Sequence, residues 1–230
     1  VQAARAQYWR GVLLSEKEQW EVSEKALRAC LAAAPDAQTA SLARLRLAVV
    51  LQRQNRMDEA ADQMEPLLAD AARVAENPAL VEWVVRRHFD QGQYDRALKA
   101  ASALAGAARE ASWRQIGWYW AGICQSQMGH DEAALEAHGK AVSQEASTRE
   151  GTESLLLLAA LELKAGRFAK AEERYSAAAQ AASGEEALDV RARAYFGLGE
   201  VAEAAGQPDK AARHFMSVAV LFDDPEWTPN

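Results

Sequence analysis

Gly92-Gln-Tyr-Asp-Arg-Ala97 is the stretch on which the reading of the chain turns. It returns as Gly129-His-Asp-Glu-Ala-Ala134, as Gly166-Arg-Phe-Ala-Lys-Ala171 and as Gly206-Gln-Pro-Asp-Lys-Ala211, each time a glycine followed five residues on by an alanine. Asn55 and Ala60 fill the same slots upstream, and Glu18 and Ser23 fill them more loosely. The second slot therefore runs Ser23, Ala60, Ala97, Ala134, Ala171, Ala211, at intervals of 37, 37, 37, 37 and 40 residues. A residue with left-handed freedom ends one helix, and a small residue just inside the next lets the two helices approach. The unit is a helical hairpin, repeated six times.

Other columns keep this register. Four residues after the second slot stand Leu27, Met64, Ala101, His138, Tyr175 and Phe215, and three further on Cys30, Leu67, Leu104, Ala141, Ala178 and Val218. Twelve residues before the slot stand Gly11, Ala48, Val85, Gly122, Ala159 and Gly199, mostly small. Small residues allow close approach within a hairpin, and the larger apolar ones fill the seam with the next. First helices are expected near 3–17, 38–54, 78–91, 112–128, 149–165 and 186–205, and second helices near 19–33, 57–75, 94–109, 131–145, 168–182 and 208–221. Pro35, Pro78 and Pro208 fall at junctions, whereas Pro66 falls inside a second helix and predicts a kink or break there. Composition agrees. Half of the 230 residues are hydrophobic but only 7% are aromatic, and Ala, Leu, Glu, Arg and Gln dominate, which favours an all-α chain.

These residues resemble tetratricopeptide repeats. The likeness is strongest in Tyr195-Phe-Gly-Leu-Gly199 with Gly206, Ala211, Phe215 and Val218, and again in Trp118, Gly122, Gly129, Ala134 and Ala141, with His138 where an aromatic is usual. It spans nearly the whole chain and fades toward the first repeat. The resemblance implies an α-α superhelix, or solenoid, in which stacked hairpins curve right-handed with first helices on the concave side. Residues 1–230 then form one solenoid domain, with repeats near 4–40, 41–77, 78–114, 115–151, 152–191 and 192–225. The period of 37 is three longer than the family's usual unit, about one helical turn. The closing Phe222-Asp-Asp-Pro-Glu-Trp-Thr-Pro resembles the junction before a further repeat in bacterial envelope proteins of this family, which implies a bacterial parent and a periplasmic or cell-envelope setting. The start at Val1, already inside a helical pattern, reads as an excised or processed domain.

The formal charge is −7, with both signs interleaved, so no basic stripe is present to bind nucleic acid. The longest apolar run, Leu155 to Leu161, is too short to span a membrane. Cys30 and Cys124 lack metal or redox spacing and read as buried thiols. His88, His130, His138 and His214 occupy different columns. His138 is expected to pack as the aromatic of its repeat and the other three to be surface groups; no metal site or cofactor is expected. No nucleophile elbow or phosphate loop occurs, and Gly117 and Gly122 are better explained by close helix packing. The pairs Glu172–Glu173 and Asp223–Asp224 lack a convergent partner. Catalysis is not expected.

What remains is a surface. On first helices, one face packs within the hairpin and the opposite one should meet the concavity. That face is read as Arg5, Tyr8, Val12 and Ser15; Leu42, Leu45, Val49 and Arg53; Glu82, Arg86 and Phe89; Ile116, Tyr119 and Ile123; Leu156 and Leu163; Arg193, Phe196 and Glu200. The strongest candidates for partner contact are Tyr8, Leu45, Val49, Glu82, Arg86, Tyr119, Ile123, Arg193 and Phe196. Trp9, Trp83 and Trp120 share a column at the groove edge, as binding anchors or as wedges between repeats. The face is apolar, which marks a partner surface unless neighbouring first helices close over it. The family's clamp for C-terminal carboxylates needs Lys, Asn and Arg here. These columns instead hold Tyr8, Leu45, Glu82, Tyr119, Leu156 and Phe196, then Val12, Val49, Arg86, Ile123, Ala160 and Glu200, while Asn55, Asn77 and Asn230 read as off the face. The expected partner is a protein or peptide, an apolar or aromatic-bearing segment held in the groove. The alternative is self-association through the ends of the stack.

Overall fold

The computed structural model describes residues 2–182 and 187–221, so the closing Phe222–Pro229 stretch and its Asp223–Asp224 pair lie outside the described residues. Two compact units divide the chain, Val1–Ala107 and Ala108–Asn230. Among the described residues each unit is built of three helical hairpins and no strand.

The first unit runs α1 (Gln2–Glu16), α2 (Trp20–Ala32), α3 (Ala37–Arg53), α4 (Met57–Met64), a 3₁₀ turn (Glu65–Leu67), α5 (Ala71–Glu76), α6 (Pro78–Asp90) and α7 (Tyr94–Ala107). The second runs α8 (Ala111–Gln127), α9 (Asp131–Gln144), α10 (Arg149–Lys164), α11 (Phe168–Ala181), α12 (Leu188–Ala204) and α13 (Pro208–Leu221). Each first helix packs on its own second helix, and within a unit second helices pack on the next hairpin.

The glycine slot of the repeat is a backbone requirement. Glu18, Asn55, Gly92, Gly129, Gly166 and Gly206 all have positive φ, between 57° and 78°. The residue after each donates its N–H to a carbonyl five residues back: Gln19 to Leu14, Arg56 to Leu51, Gln93 to His88, His130 to Gln125, Arg167 to Glu162 and Gln207 to Ala202, at 2.8–3.0 Å. This 6→1 bond satisfies a carbonyl the helix end would leave unpaired and turns the chain into the second helix.

The small column is equally physical. A Cβ on Gly11 would lie 2.6 Å from the Leu27 side chain, and one on Gly122 would lie 2.5 Å from the His138 ring. Gly199 meets Phe215 in the same way. Where the first helix carries the larger Val85, its register partner shrinks to Ala101, and both are fully buried. Ser23, which stands where the other repeats have Ala, donates its buried hydroxyl to the Gly11 carbonyl at 2.7 Å.

The second repeat departs from the expected single helix over 57–75. Pro66 has no N–H and crowds the carbonyl four residues back, so α4 ends at Met64 and passes into the 3₁₀ turn. Asp70 then caps α5, its carboxylate accepting from Ala72 and Arg73 N–H at 3.1 and 3.3 Å. Val74 of α5 is buried, and α5 packs on α7.

Candidate functional site

In the first unit, the outward columns of α1, α3 and the start of α6 leave a trough. One cavity of about 200 Å³ is lined by Tyr8, Leu42, Leu45, Arg46, Val49, Asn77 and Leu80. A second, of about 290 Å³, is lined by Arg5, Tyr8, Trp9, Gln38, Thr39 and Leu42, so Tyr8 and Leu42 form the wall between them. Val49 is 37% exposed, and Trp9 is 61% exposed with its ring edge-on to Tyr8 at 5.2 Å. Spacings of three and four residues along α3 put Leu42, Leu45, Arg46 and Val49 on one face. Asp36 steadies the entrance to α3: its carboxylate accepts from Thr39 N–H at 2.9 Å and from Arg5 at 3.1 Å, and these bonds hold its carboxyl below the usual range.

Not every residue read onto this face is open. Val12 and Ser15 are buried, and the Ser15 hydroxyl donates back to the Val12 carbonyl at 2.7 Å. They belong to the seam with the neighbouring helices, not to a groove. Glu82 and Arg86 form an i,i+4 pair at 2.6 Å, with Trp83 half-buried between them in sequence. Arg53 is exposed, and Phe89 packs against Tyr94 at 5.3 Å. Four trough residues were not read from the sequence as part of it, Gln38, Thr39, Arg46 and Leu80, and Asn77, read as off the face, lines it. Arg46 carried a usable signal, since it occupies the column of Trp9 and Trp83.

In the second unit the corresponding residues are more engaged. Tyr119 and Ile123 of α8 are half-buried, as is Ile116, and Tyr119 lies 5.7 Å from the half-buried Trp120 and 6.4 Å from the His138 ring. Burial, with the Glu153 charge adding to it, raises the Tyr119 phenol above its ordinary value. Leu156 is buried in the core with Tyr175 and Leu198, and Leu163 packs against that core, so neither is an open groove position. Arg193 holds both oxygens of Glu153, at 2.8 and 3.1 Å, and reaches Asp189 at 3.5 Å. Phe196 meets the Phe215 ring at a tilt, with centroids 5.3 Å apart. Glu200 is exposed overall, yet partial burial raises its carboxyl above the ordinary value, and the Glu203 charge adds to it. A cleft of about 410 Å³ lies between the starts of α10 and α12, lined by residues that include Arg149, Glu153 and Asp189. Nothing in the repeat pattern pointed to it.

The histidines need one correction. His88, read as a surface group, is 1% exposed. It occupies the column of the fully buried Leu51, and Gln93 provides a partner for its Nδ1 at 3.1 Å. His138 is fully buried over Gly122 with its Nδ1 3.4 Å from the Ser154 hydroxyl, and burial pushes its pKa down to about 4. His214 is half-buried and His130 exposed. Both cysteines are buried and unpaired, and burial pushes the Cys124 thiol up to about 12. Among the described residues no group of three or more His, Cys, Asp or Glu could hold a metal ion, and no helix is long and apolar enough to cross a membrane.

Comparison with known proteins follows the same lines. Residues 152–219 match the family model for the tetratricopeptide repeat. No curated protein matches the sequence. Among solved structures, PilF of Pseudomonas aeruginosa is 19% identical with a TM-score of 0.54, over 99% of this chain and 95% of that one. PilW, described as a widely conserved type IV pilus biogenesis factor, is 14% identical with a TM-score of 0.56, over 99% and 97%. MamA is 16% identical with a TM-score of 0.60, over 78% and 90%. At such identities the likeness establishes the fold.

Proposed function

We propose that the chain, whose residues 152–219 match the tetratricopeptide repeat and whose earlier hairpins carry the same turn and register, is a non-catalytic protein-interaction scaffold whose first helices hold an apolar or aromatic-bearing peptide. The observation that carries this reading is the pair of adjoining cavities in the first unit, walled by Tyr8 and Leu42 and floored by Leu45 and Val49. Apolar side chains left open on a regular face favour a partner, because water gains nothing from them. Tyr119 and Ile123, with Arg193 and Phe196, offer the second unit's contribution. The shared register favours reading residues 1–230 as one array of six repeats.

Peptides selected from a random displayed library on the whole chain test the reading. The expected selection is rich in Trp, Phe and Leu, and Leu45→Asp should weaken binding at least tenfold with the fold intact. A paired Tyr119→Ala, Ile123→Ala variant tests the second unit in the same assay. Selected peptides that bind wild type and both variants equally would overturn the groove assignment.

A second reading is self-association. Met216 and Val220 of α13 are 64% and 76% exposed, and Leu13 of α1 is exposed as well. These helix faces favour an assembly contact, and sedimentation over a range of concentration decides it: a monomer throughout removes this reading.

A further inference from the structure

Arg46 lines the first unit's trough, half-buried on the face of α3 that also carries Leu42, Leu45 and Val49. Among the described residues it has neither an ion-pair nor a hydrogen-bond partner. Three other arginines of the unit are engaged, Arg5 with Asp36 at 3.1 Å, Arg44 with Gln63 at 3.4 Å and Arg86 with Glu82 at 2.6 Å. Arg46 also stands in the column of Trp9 and Trp83, so on successive first helices a guanidinium alternates with two indoles.

A guanidinium set among apolar side chains gives up hydration, and no carboxylate among the described residues makes up for it. A carboxylate arriving with a ligand would, through charge-assisted bonds in the forked geometry that guanidinium favours. The shape of the trough says where in the ligand that carboxylate sits. Arg46 belongs to the cavity formed by Leu45, Val49 and Leu80, and across the shared wall of Tyr8 and Leu42 lies the other. A chain that continues past Arg46 keeps apolar side chains against Leu45, Val49 and Leu80 as well as in the second cavity, which favours a carboxylate within the chain over one at its end. The formal charge of −7 repels long acidic runs, so one carboxylate in an apolar context fits best.

Resting on the reading of this trough as a peptide site, we infer that its occupant is a peptide with an internal Asp or Glu flanked on both sides by apolar or aromatic residues, the carboxylate meeting Arg46. Three fluorescent probes test this on the full chain by polarisation. The first is an acetylated, amidated peptide with Trp-Leu before and Leu-Trp after a central Glu. The second carries Gln at the centre, and the third stops at the central position with a free C-terminal carboxylate.

The Glu probe is expected to bind wild type about tenfold tighter than the Gln probe, and tighter than the truncated one. Arg46→Gln should erase the Glu preference without lowering the thermal midpoint, because among the described residues Arg46 has no ion-pair or hydrogen-bond partner to lose. Equal binding of Glu and Gln probes, a Glu preference that survives Arg46→Gln, or tighter binding of the truncated probe would each overturn the inference while the trough stands. Binding that is indifferent to Leu45→Asp, or absent for all three probes, would overturn the trough itself.

Discussion

Replacing His138 with Phe should remove a specific acid sensitivity from the second unit. His138 is fully buried between Gly122 and Ser154, and burial drops its pKa from 6.5 to about 4. In the unfolded chain the imidazole regains its ordinary value. Between these two pH values the unfolded state binds more protons than the folded one, so stability rises with pH. The penalty is absent above about pH 6.5, grows as pH falls, and levels off below about pH 4. The full shift of about 2.5 pH units, at 1.36 kcal/mol each, is worth roughly 3.4 kcal/mol. At pH 5 the unfolded imidazole is protonated about thirty times over while the folded one is almost all neutral, which gives about 2 kcal/mol.

The variant fits the site on internal precedent, because Phe215 occupies the matching position over Gly199. Urea unfolding of wild type and His138→Phe at pH 7.5 and pH 5 makes the measurement. Other groups are shifted too: burial lowers His88 and His214, and arginine partners lower Glu24 and Glu65 (Arg96 foremost for the latter). They are common to both proteins and cancel in the difference. The wild type should lose about 2 kcal/mol more than the variant between the two pH values. An equal loss in both would refute the argument, and so would an NMR titration of His138 near its ordinary pKa.

Other outcomes follow from the repeat geometry. Glu18→Gly should stabilise the chain by about 0.5–1 kcal/mol, read as a raised thermal midpoint, because Glu18 holds a φ of 57° that glycine adopts without strain. Gly122→Ala should destabilise by about 1–3 kcal/mol, since the new Cβ falls on the His138 ring, whereas Gly139→Ala, with nothing within 4 Å of the new Cβ, should stabilise by up to about 1 kcal/mol. Gln115→Leu should cost about 2–3 kcal/mol. The buried Gln115 amide donates to the carbonyls of Ala141 and Glu145 and accepts from the Thr148 hydroxyl, so hydrogen exchange should accelerate at the start of α10.

Most of the fold was legible because the backbone repeats its own requirements. The left-handed turn residue and the small column recur in fixed register, and the turn within each hairpin follows from them. The break at Pro66 was legible for the same local reason, a missing N–H. The appearance of α5 was less so, as it needs both the short α4 and the Asp70 cap. The candidate site was only partly legible. Whether Val12, Ser15 and Leu156 are open depends on how closely neighbouring helices approach, a sum over many side chains that no single column reports. His88 shows the limit from the other side: its burial depends on Gln93 presenting an oxygen to it.

The column of Trp9, Arg46, Trp83, Trp120, Leu157 and Gly197 explains where ligand chemistry can reside in such a chain. At Gly197 the column is claimed by packing, because the Tyr175 ring occupies the space a side chain would need. At Trp9 the same column is 61% exposed, and at Arg46 it opens on a cavity. A position forced by packing in one hairpin and released in another can change its chemistry there without cost to the fold. Turn glycines and the small column have no such freedom. The exposed indole of Trp9 and the guanidinium of Arg46 are therefore features that the hairpins do not need in order to stack. In the proposed peptide site both have a role, and substitutions at Arg46 should move affinity for the peptide without lowering stability.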